Sequence, residues 1–350
     1  MQFDIIVGNP PYQRDTQGHG AQAKPIYQHF VRQAKKLNPK YISLIIPARW
    51  FSGGMGLGEF RKEILHDDRI RLLHDYPNSK DCFPNVEIKG GICYFLWDRE
   101  YSGKCKIITH INGEISESER TLRSPISDTF IRYPEQLSIA EKVWKTDSVV
   151  SANSSLSFAS LVSSVNPYGL ATDFFKNPEK YRLPPVSRHK IKGGLTIYGL
   201  ESSRRVERYV PADYPVPGGR KHIGKWKVFV PEALGANGTM GEEIPAKILG
   251  DAFIGPPNTF CTFTYLNIGD FVTKREAANC LDYLKTKFFR FLVGIIKTTQ
   301  HATSRVYQLV PLQDFGESWT DKKLYKKYGL TAAEINFIER MIRAMPSFTT

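Results

Sequence analysis

Cysteine is scarce in this 350-residue chain: there are five, and no two form a CxxC pair. The odd count and wide spacing of Cys82, Cys93, Cys105, Cys261 and Cys280 exclude a disulfide framework and argue against a zinc site. They are expected to be reduced thiols in a cytoplasmic protein, with no bound metal. No apolar run approaches the roughly 20 residues that cross a bilayer, and mean hydropathy is −0.34. A charged-then-apolar leader is also missing, so neither export nor a membrane partner is expected. Internal repeats are absent. So is a dinucleotide loop: the glycines at 53, 54, 56 and 58 lack the GxGxxG spacing, and no acidic residue follows in a strand about twenty positions on. That stretch is read as a flexible loop before a helix over 59–65.

Acidic side chains are in deficit, and unevenly so. The net charge is +13, with a sequence pI near 9.4. Residues 1–150 hold 21 Lys and Arg against 18 Asp and Glu, a net +3; residues 151–350 hold 27 against 17, a net +10. Within the second part, 176–227 alone has 13 against 4, a net +9. Aromatics interleave with these cations. Such a region is the electrostatic footprint of a polyanion partner.

What is present near the start is more specific. The run Ile5-Ile6-Val7 is β-branched and too short for a helix, so it reads as a strand. Both of its faces are apolar, which suits a buried strand in a parallel sheet. It stops at Gly8 and gives way to Asn9-Pro10-Pro11-Tyr12. Two prolines fix φ, remove two N–H donors and hold Asn9 and Pro10 extended. A rigid polar loop at the carboxyl end of a strand is where open α/β sheets put their chemistry.

The stretch FDIIVGNPPY resembles the motif that closes the fourth strand of S-adenosylmethionine-dependent amino-methyltransferases acting on adenine N6 in DNA. The Asn-Pro-Pro-Tyr form is typical of the gamma order, in which target recognition follows catalysis. The resemblance implies that Asn9 and the Pro10 carbonyl accept the two N6 hydrogens and free the lone pair. It implies that Tyr12 stacks on a base flipped out of the duplex, with Pro11 fixing the loop. Phe83-Pro84 matches the place where these enzymes supply a second aromatic wall, so Phe83 is the expected partner of Tyr12. The ending, from Val310 to Thr331, resembles the C-terminal ends of Eco57I-type restriction-modification methylases.

Along the chain, residues 13–24 read as a mobile loop, 26–37 as an amphipathic helix and 41–47 as a second buried strand. Together with the first strand these make a βαβ unit. Further strands are expected over 69–76 and 92–97, the latter half of a hairpin whose other arm lies in 82–89. Strands over 104–111 and a helix over 134–145 follow. A Ser-rich stretch, 148–164, carries Phe158, Leu161 and Val162 at helical spacing. Beyond it, Arg188, Lys190, Lys192, Arg204, Arg205, Arg220, Lys221, Lys225 and Lys227 are candidate DNA contacts. Thr299 and His301, in a polar run after a predicted helix over 276–295, join them. Thr331 and Glu334 form a capping box that opens a final helix over 332–345. Glu87-x-Lys89 behind Asp81 is a fragment of a metal-dependent nuclease signature and reads more simply as part of the expected hairpin region; Asp321-x-Lys323 is another fragment and reads more simply as surface charge.

The expected fold is α/β: the C-terminal part of a Rossmann-like methyltransferase sheet over 1–150, then a basic, mixed α+β target-recognition domain over 151–350. The departure from the family lies ahead of Phe3. Such enzymes carry there a Gly-rich turn that cradles the methionine moiety and an acidic residue for the ribose. S-adenosylmethionine is therefore expected to need residues from a missing N-terminal region or a cofactor-binding polypeptide, with double-stranded DNA as the other partner. Two alternatives stand beside a DNA adenine-N6 methyltransferase. One is a non-catalytic DNA-binding specificity subunit; the other, disfavoured by the basic region, is a protein-glutamine methyltransferase.

Overall fold

The computed structural model describes residues 3–14, 23–52, 54–111, 113–148, 155–202, 204–234 and 239–345. Most of the loop expected over 13–24, and residues 149–154 of the Ser-rich stretch, lie outside them. The fold is mixed α/β with mixed sheets. It divides into two compact units, residues 1–141 with 239–246 and residues 142–238 with 247–350.

The first unit is built on a six-stranded sheet. Its strands are β1 (Ile5–Gly8), β2 (Tyr41–Pro47), β3 (Ile70–Tyr76), β4 (Ile92–Asp98), β5 (Cys105–Ile111) and β6 (Glu114–Arg120), in the order β1-β2-β4-β3-β5-β6. β1 and β2 run parallel, with Ile6 opposite Ile42 and Gly8 opposite Leu44. Between them lies α1 (Tyr27–Lys36), with Lys35 and Lys36 in its last turn, where cations offset the helix dipole. This is the expected βαβ unit. Ile42, Leu44 and Ile46 of β2 turn one face into a core shared with Tyr27, Val31 and Ala34 of α1. Phe60 and Ile64 of α2 (Gly58–Leu65) join the same core.

The expectation of a buried first strand fails. Ile5 is 60% and Val7 73% exposed, and only Ile6 packs against the core. Among the described residues β1 pairs with β2 alone, so one edge and one apolar face stay open. The arm expected over 82–89 is not a strand either. β4 pairs antiparallel with β2 and β3 instead, and the connection from β3 runs as a loop through Gly90 and Gly91. Gly91 has φ +85°, and a Cβ there would sit 2.2 Å from the Tyr76 carbonyl oxygen, so the turn requires glycine.

The second unit contains two three-stranded sheets. One has β9 (Trp226–Pro231) between β10 (Phe253–Gly255) and β12 (Tyr265–Phe271); the other has β7 (Leu195–Glu201) between β11 (Thr259–Cys261) and β8 (Arg204–Val210). Phe229, Phe260, Cys261 and Tyr265 from these sheets meet Tyr168, Phe174 and Leu195 in one core. α3 (Pro134–Asp147), whose residues 134–141 belong to the first unit, covers the helix expected over 134–145, while the helical spacing of 158–162 yields one 3-10 turn, Phe158–Leu161. The single helix expected over 276–295 is two: α4 (Lys274–Lys285) and α5 (Lys287–Ile296). Thr286, extended at ψ 148°, ends the first, and its hydroxyl caps Phe289 in the second. A short helix, α6 (Asp321–Lys327), precedes α7 (Ala332–Met341). The capping box of Thr331 and Glu334 forms as expected, but α7 stops at Met341, short of 345. No helix among the described residues is long and apolar enough to cross a membrane.

Candidate functional site

The loop Asn9 to Tyr12 leaves the carboxyl end of β1 and is pinned at its far end. The Ile26 N–H donates to the Tyr12 carbonyl at 3.1 Å, which ties the loop to the start of α1. Gln13 bridges Pro25, and the Arg14 N–H donates to the Lys24 carbonyl, so residues 13–14 lie beside residues 24–25. With two prolines inside it, the loop has few ways to move. Asn9 and Pro11 are exposed; Pro10 and Tyr12 are half-buried.

The loop separates two cavities. On one side Asn9 and Pro10, with Ile6, Phe30, Gln33 and Leu37, line a cavity of about 300 Å³ beside the open edge of β1. On the other, Tyr12 lines a cavity of about 460 Å³ with Tyr27, Pro47, Arg49 and residues Val86 to Lys89. The larger one opens at the carboxyl ends of β1 and β2 and falls in the size range of small-molecule sites, roughly 300–1,000 Å³. Burial pushes the Tyr12 hydroxyl up to about 12, with Asn9 as an opposing polar neighbour. It is enclosed without a well-formed hydrogen bond. An amide oxygen, a proline carbonyl and an aromatic face in one short loop suit a planar heterocycle bearing an amino group.

The opposite wall is the 79–91 loop. The Ser79 hydroxyl, in a buried residue, donates to the Val86 carbonyl at 2.9 Å and accepts from the Ile88 N–H at 2.8 Å. Phe83 is half-buried and its N–H donates to the Ser79 carbonyl, but it is not among the residues that line the cavity with Tyr12. Its neighbour Cys82, like Cys93, lies near enough to the Tyr12 hydroxyl to oppose its ionisation. Tyr27, Pro47, Arg49 and Ser79 were not singled out from sequence. Glu87 and Lys89, read there as part of a hairpin, line this cavity. Among the described residues, no three His, Cys, Asp or Glu side chains cluster to hold a metal.

In the second unit, the candidate cations fall into groups. Arg204 and Arg205 open β8, the edge strand of its sheet, and both are exposed. Arg205 stands over the Tyr265 ring at 5.7 Å. Arg188, also exposed, is paired with Glu201 at 3.2 Å; Glu201 also holds Arg208. Lys190 and Lys192 are exposed in the turn before β7. Arg220, Lys221 and Lys225 are exposed around a 3-10 turn that Asn258 ties to the start of β7, through Ile223 and Thr196. The Arg220 guanidinium also donates to the Tyr214 and Ala212 carbonyls, which fixes its direction.

Lys227 does not belong with them. It is fully buried, and its ammonium donates to the Ile223 and Thr259 carbonyls at 3.0 Å each. Burial pulls its pKa down to about 8. A cation committed to two carbonyls in a core cannot reach a phosphate. Thr299 and His301 are half-buried; His301 Nδ1 lies 2.8 Å from the buried carboxylate of Glu232, which holds the ring from behind.

Residues 1–83 match the profile of the family described as Eco57I restriction-modification methylase. Over 153 residues the chain is 38% identical to an uncharacterized adenine-specific methylase of Mycoplasma pneumoniae (strain ATCC 29342 / M129 / Subtype 1), covering 41% of this chain and 35% of that protein. The chain therefore spans about a third of the length of that curated relative. Among solved structures, it is loosely similar to the type IIL restriction-modification enzyme MmeI in complex with DNA, at 11% identity and a TM-score of 0.46, covering 87% of this chain and 45% of that one. For the type IIG restriction endonuclease BpuSI the values are 13% and 0.36, covering 96% and 49%.

Proposed function

We propose that the chain is the base-holding and DNA-recognition part of a DNA adenine-N6 methyltransferase from a restriction-modification system. The observation that carries this reading is Asn9-Pro10-Pro11-Tyr12, clamped between β1 and α1 and bordering a nucleotide-sized cavity, inside the segment that matches the methylase profile. Adenine N6 is a poor nucleophile because its lone pair is delocalised into the ring. Asn9 Oδ1 and the Pro10 carbonyl each accept one N6 hydrogen, which draws the nitrogen toward tetrahedral geometry and exposes its lone pair. No strong base is needed; positioning and preorganised acceptors suffice. Tyr12 stacks on the extruded base in the cavity that Val86 to Lys89 wall on the other side; Phe83, expected as a second wall, stands outside that lining in the same 79–91 loop.

The residues present do not make a complete site for S-adenosylmethionine. The cavity beside β1 has apolar walls with Asn9 and Gln33 as its polar side chains, and no carboxylate to hold a ribose. The open edge of β1, with Ile5 and Val7 exposed beside it, suits a further parallel strand. A donor-binding polypeptide segment pairing there completes the sheet in this reading. The chain by itself is then expected to bind S-adenosylmethionine more weakly than micromolar. Titration calorimetry giving a micromolar or tighter Kd for the isolated chain would contradict this.

Duplex binding belongs to the basic surface of the second unit. In gel-shift titrations over several salt concentrations, log K should fall linearly with log salt, by about 0.9 per phosphate contact. Arg204→Ala with Arg205→Ala should flatten that slope by about 1 for each phosphate lost. Lys227→Met should leave it unchanged. A salt-independent affinity, or a slope altered by Lys227→Met alone, would remove the assignment.

A further inference from the structure

The cavity beside Tyr12 contains a cation that holding a base does not employ. Arg49 follows β2 and is half-buried, and its guanidinium donates to the Met55 sulfur at 3.1 Å, a weak acceptor. It forms no ion pair with any described carboxylate. Glu87 and Lys89 line the same cavity, both exposed, and offset one another in charge. Tyr27, at the start of α1, is 1% exposed, and its hydroxyl is buried with no hydrogen-bond partner. The Arg49 charge acts on that hydroxyl, and the Trp50 backbone N–H lies nearby. A half-buried guanidinium without a carboxylate, next to a buried hydroxyl without an acceptor, are two donors lacking the same thing. An oxyanion supplies it, and charge-assisted bonds from arginine to phosphate are among the strongest available.

We propose that Arg49 and Tyr27 form a phosphate subsite in this cavity, which takes the phosphate of the nucleotide whose base stacks on Tyr12. This deepens the base-holding reading and rests on it. The subsite secures the extruded nucleotide by its backbone, independently of which base it carries, while the loop at Asn9 selects the amino group. Extrusion costs unstacking energy, and a backbone clamp offsets part of it.

The test uses the full chain with deoxyadenosine, its 5′- and 3′-monophosphates and inorganic phosphate, followed by ligand-observed NMR. One monophosphate is expected to bind about tenfold more tightly than the nucleoside, the factor that one charge-assisted contact supplies. Arg49→Gln should abolish that difference and leave nucleoside binding unchanged, whereas Arg49→Lys should retain part of it. Tyr27→Phe, which keeps the packing of the ring, should cost about threefold on the monophosphate alone. Tyr12→Ala should weaken nucleoside and nucleotide together. Equal binding of nucleoside and monophosphates, both sensitive to Tyr12→Ala, overturns the subsite and leaves the base pocket standing. Monophosphate and phosphate binding that requires Arg49, with no nucleoside binding at all, supports the subsite and overturns the base pocket. Binding of neither overturns both. Displacement of the monophosphate by free methionine, which carries a carboxylate and no base, assigns the anion site to a carboxylate and overturns the nucleotide assignment.

Discussion

Replacing Asn9 with alanine is expected to lower methyl transfer to duplex DNA by about 10²–10³-fold, the loss typical of removing one preorganised hydrogen-bonding group. The assay supplies S-adenosylmethionine and the donor-binding segment proposed to pair with β1. The loss should fall on kcat and leave KM within about twofold, because the amide oxygen matters most as N6 becomes tetrahedral. Asn9 is exposed, and the loop is held by Pro10, Pro11 and the Tyr12 carbonyl, so the substitution leaves the fold intact. Asn9→Asp keeps an acceptor oxygen and should retain more activity than alanine; Asn9→Gln keeps the amide but displaces it and should retain less than aspartate. DNA binding in the gel shift should be unaltered by all three. A variant with Asn9→Ala that still transfers methyl groups at a tenth of the parental rate or better would show that this loop is not where the amino group is held.

Local features were legible in the sequence. The strand at Ile5, the βαβ unit and the capping box at Thr331 and Glu334 depend on neighbours in the chain, and all three formed. The loop from Asn9 to Tyr12 was legible as the break that ends β1, because Gly8 and the two prolines are contiguous there. The wall that faces it was not. Sheet order β1-β2-β4-β3 sets Arg49 from the end of β2 and Val86 to Lys89 from the β3–β4 loop around one cavity, and no spacing rule encodes that meeting. Lys227 shows a second limit. Composition cannot tell a cation in water from one buried between the Ile223 and Thr259 carbonyls. The apolar run at Ile5-Ile6-Val7 shows a third: apolar faces state what a strand can bury, while exposure depends on what lies beside it. Thr286 is a fourth. α4 and α5 share a continuous helical pattern, and the break comes from a threonine that caps one helix while ending the other.

The wall of that cavity stands on a buried ion pair, and breaking the pair should destabilise the first unit by about 3–5 kcal/mol. Asp75 of β3 is wholly buried, with Arg132 Nε 3.1 Å from its Oδ2. The same guanidinium donates to the Gly90 carbonyl and stands over the Phe51 ring at 5.0 Å. Arg132 thus links the core of the sheet to the glycine turn that carries residues 86–89. Burial pushes the Asp75 carboxyl up to about 6, and Arg132 opposes it. An unfolded aspartate titrates near 3.9, so the folded state binds the extra proton between about pH 4 and pH 6. Stability from this group is therefore fully present below pH 4 and lost as pH rises through 6, by up to about 3 kcal/mol. Arg132→Met removes the opposing charge, so its cost should be largest at pH 8 and shrink at pH 5, where Asp75 is protonated. Asp75→Leu combined with Arg132→Met should recover most of the loss, because no buried charge is then left alone. Urea unfolding read by hydrogen exchange on β3 and β4 peptides follows the first unit separately from the second. A cost for Arg132→Met below about 1 kcal/mol at pH 8, or one equal at both pH values, would mean that the pair does not hold the turn through its charge.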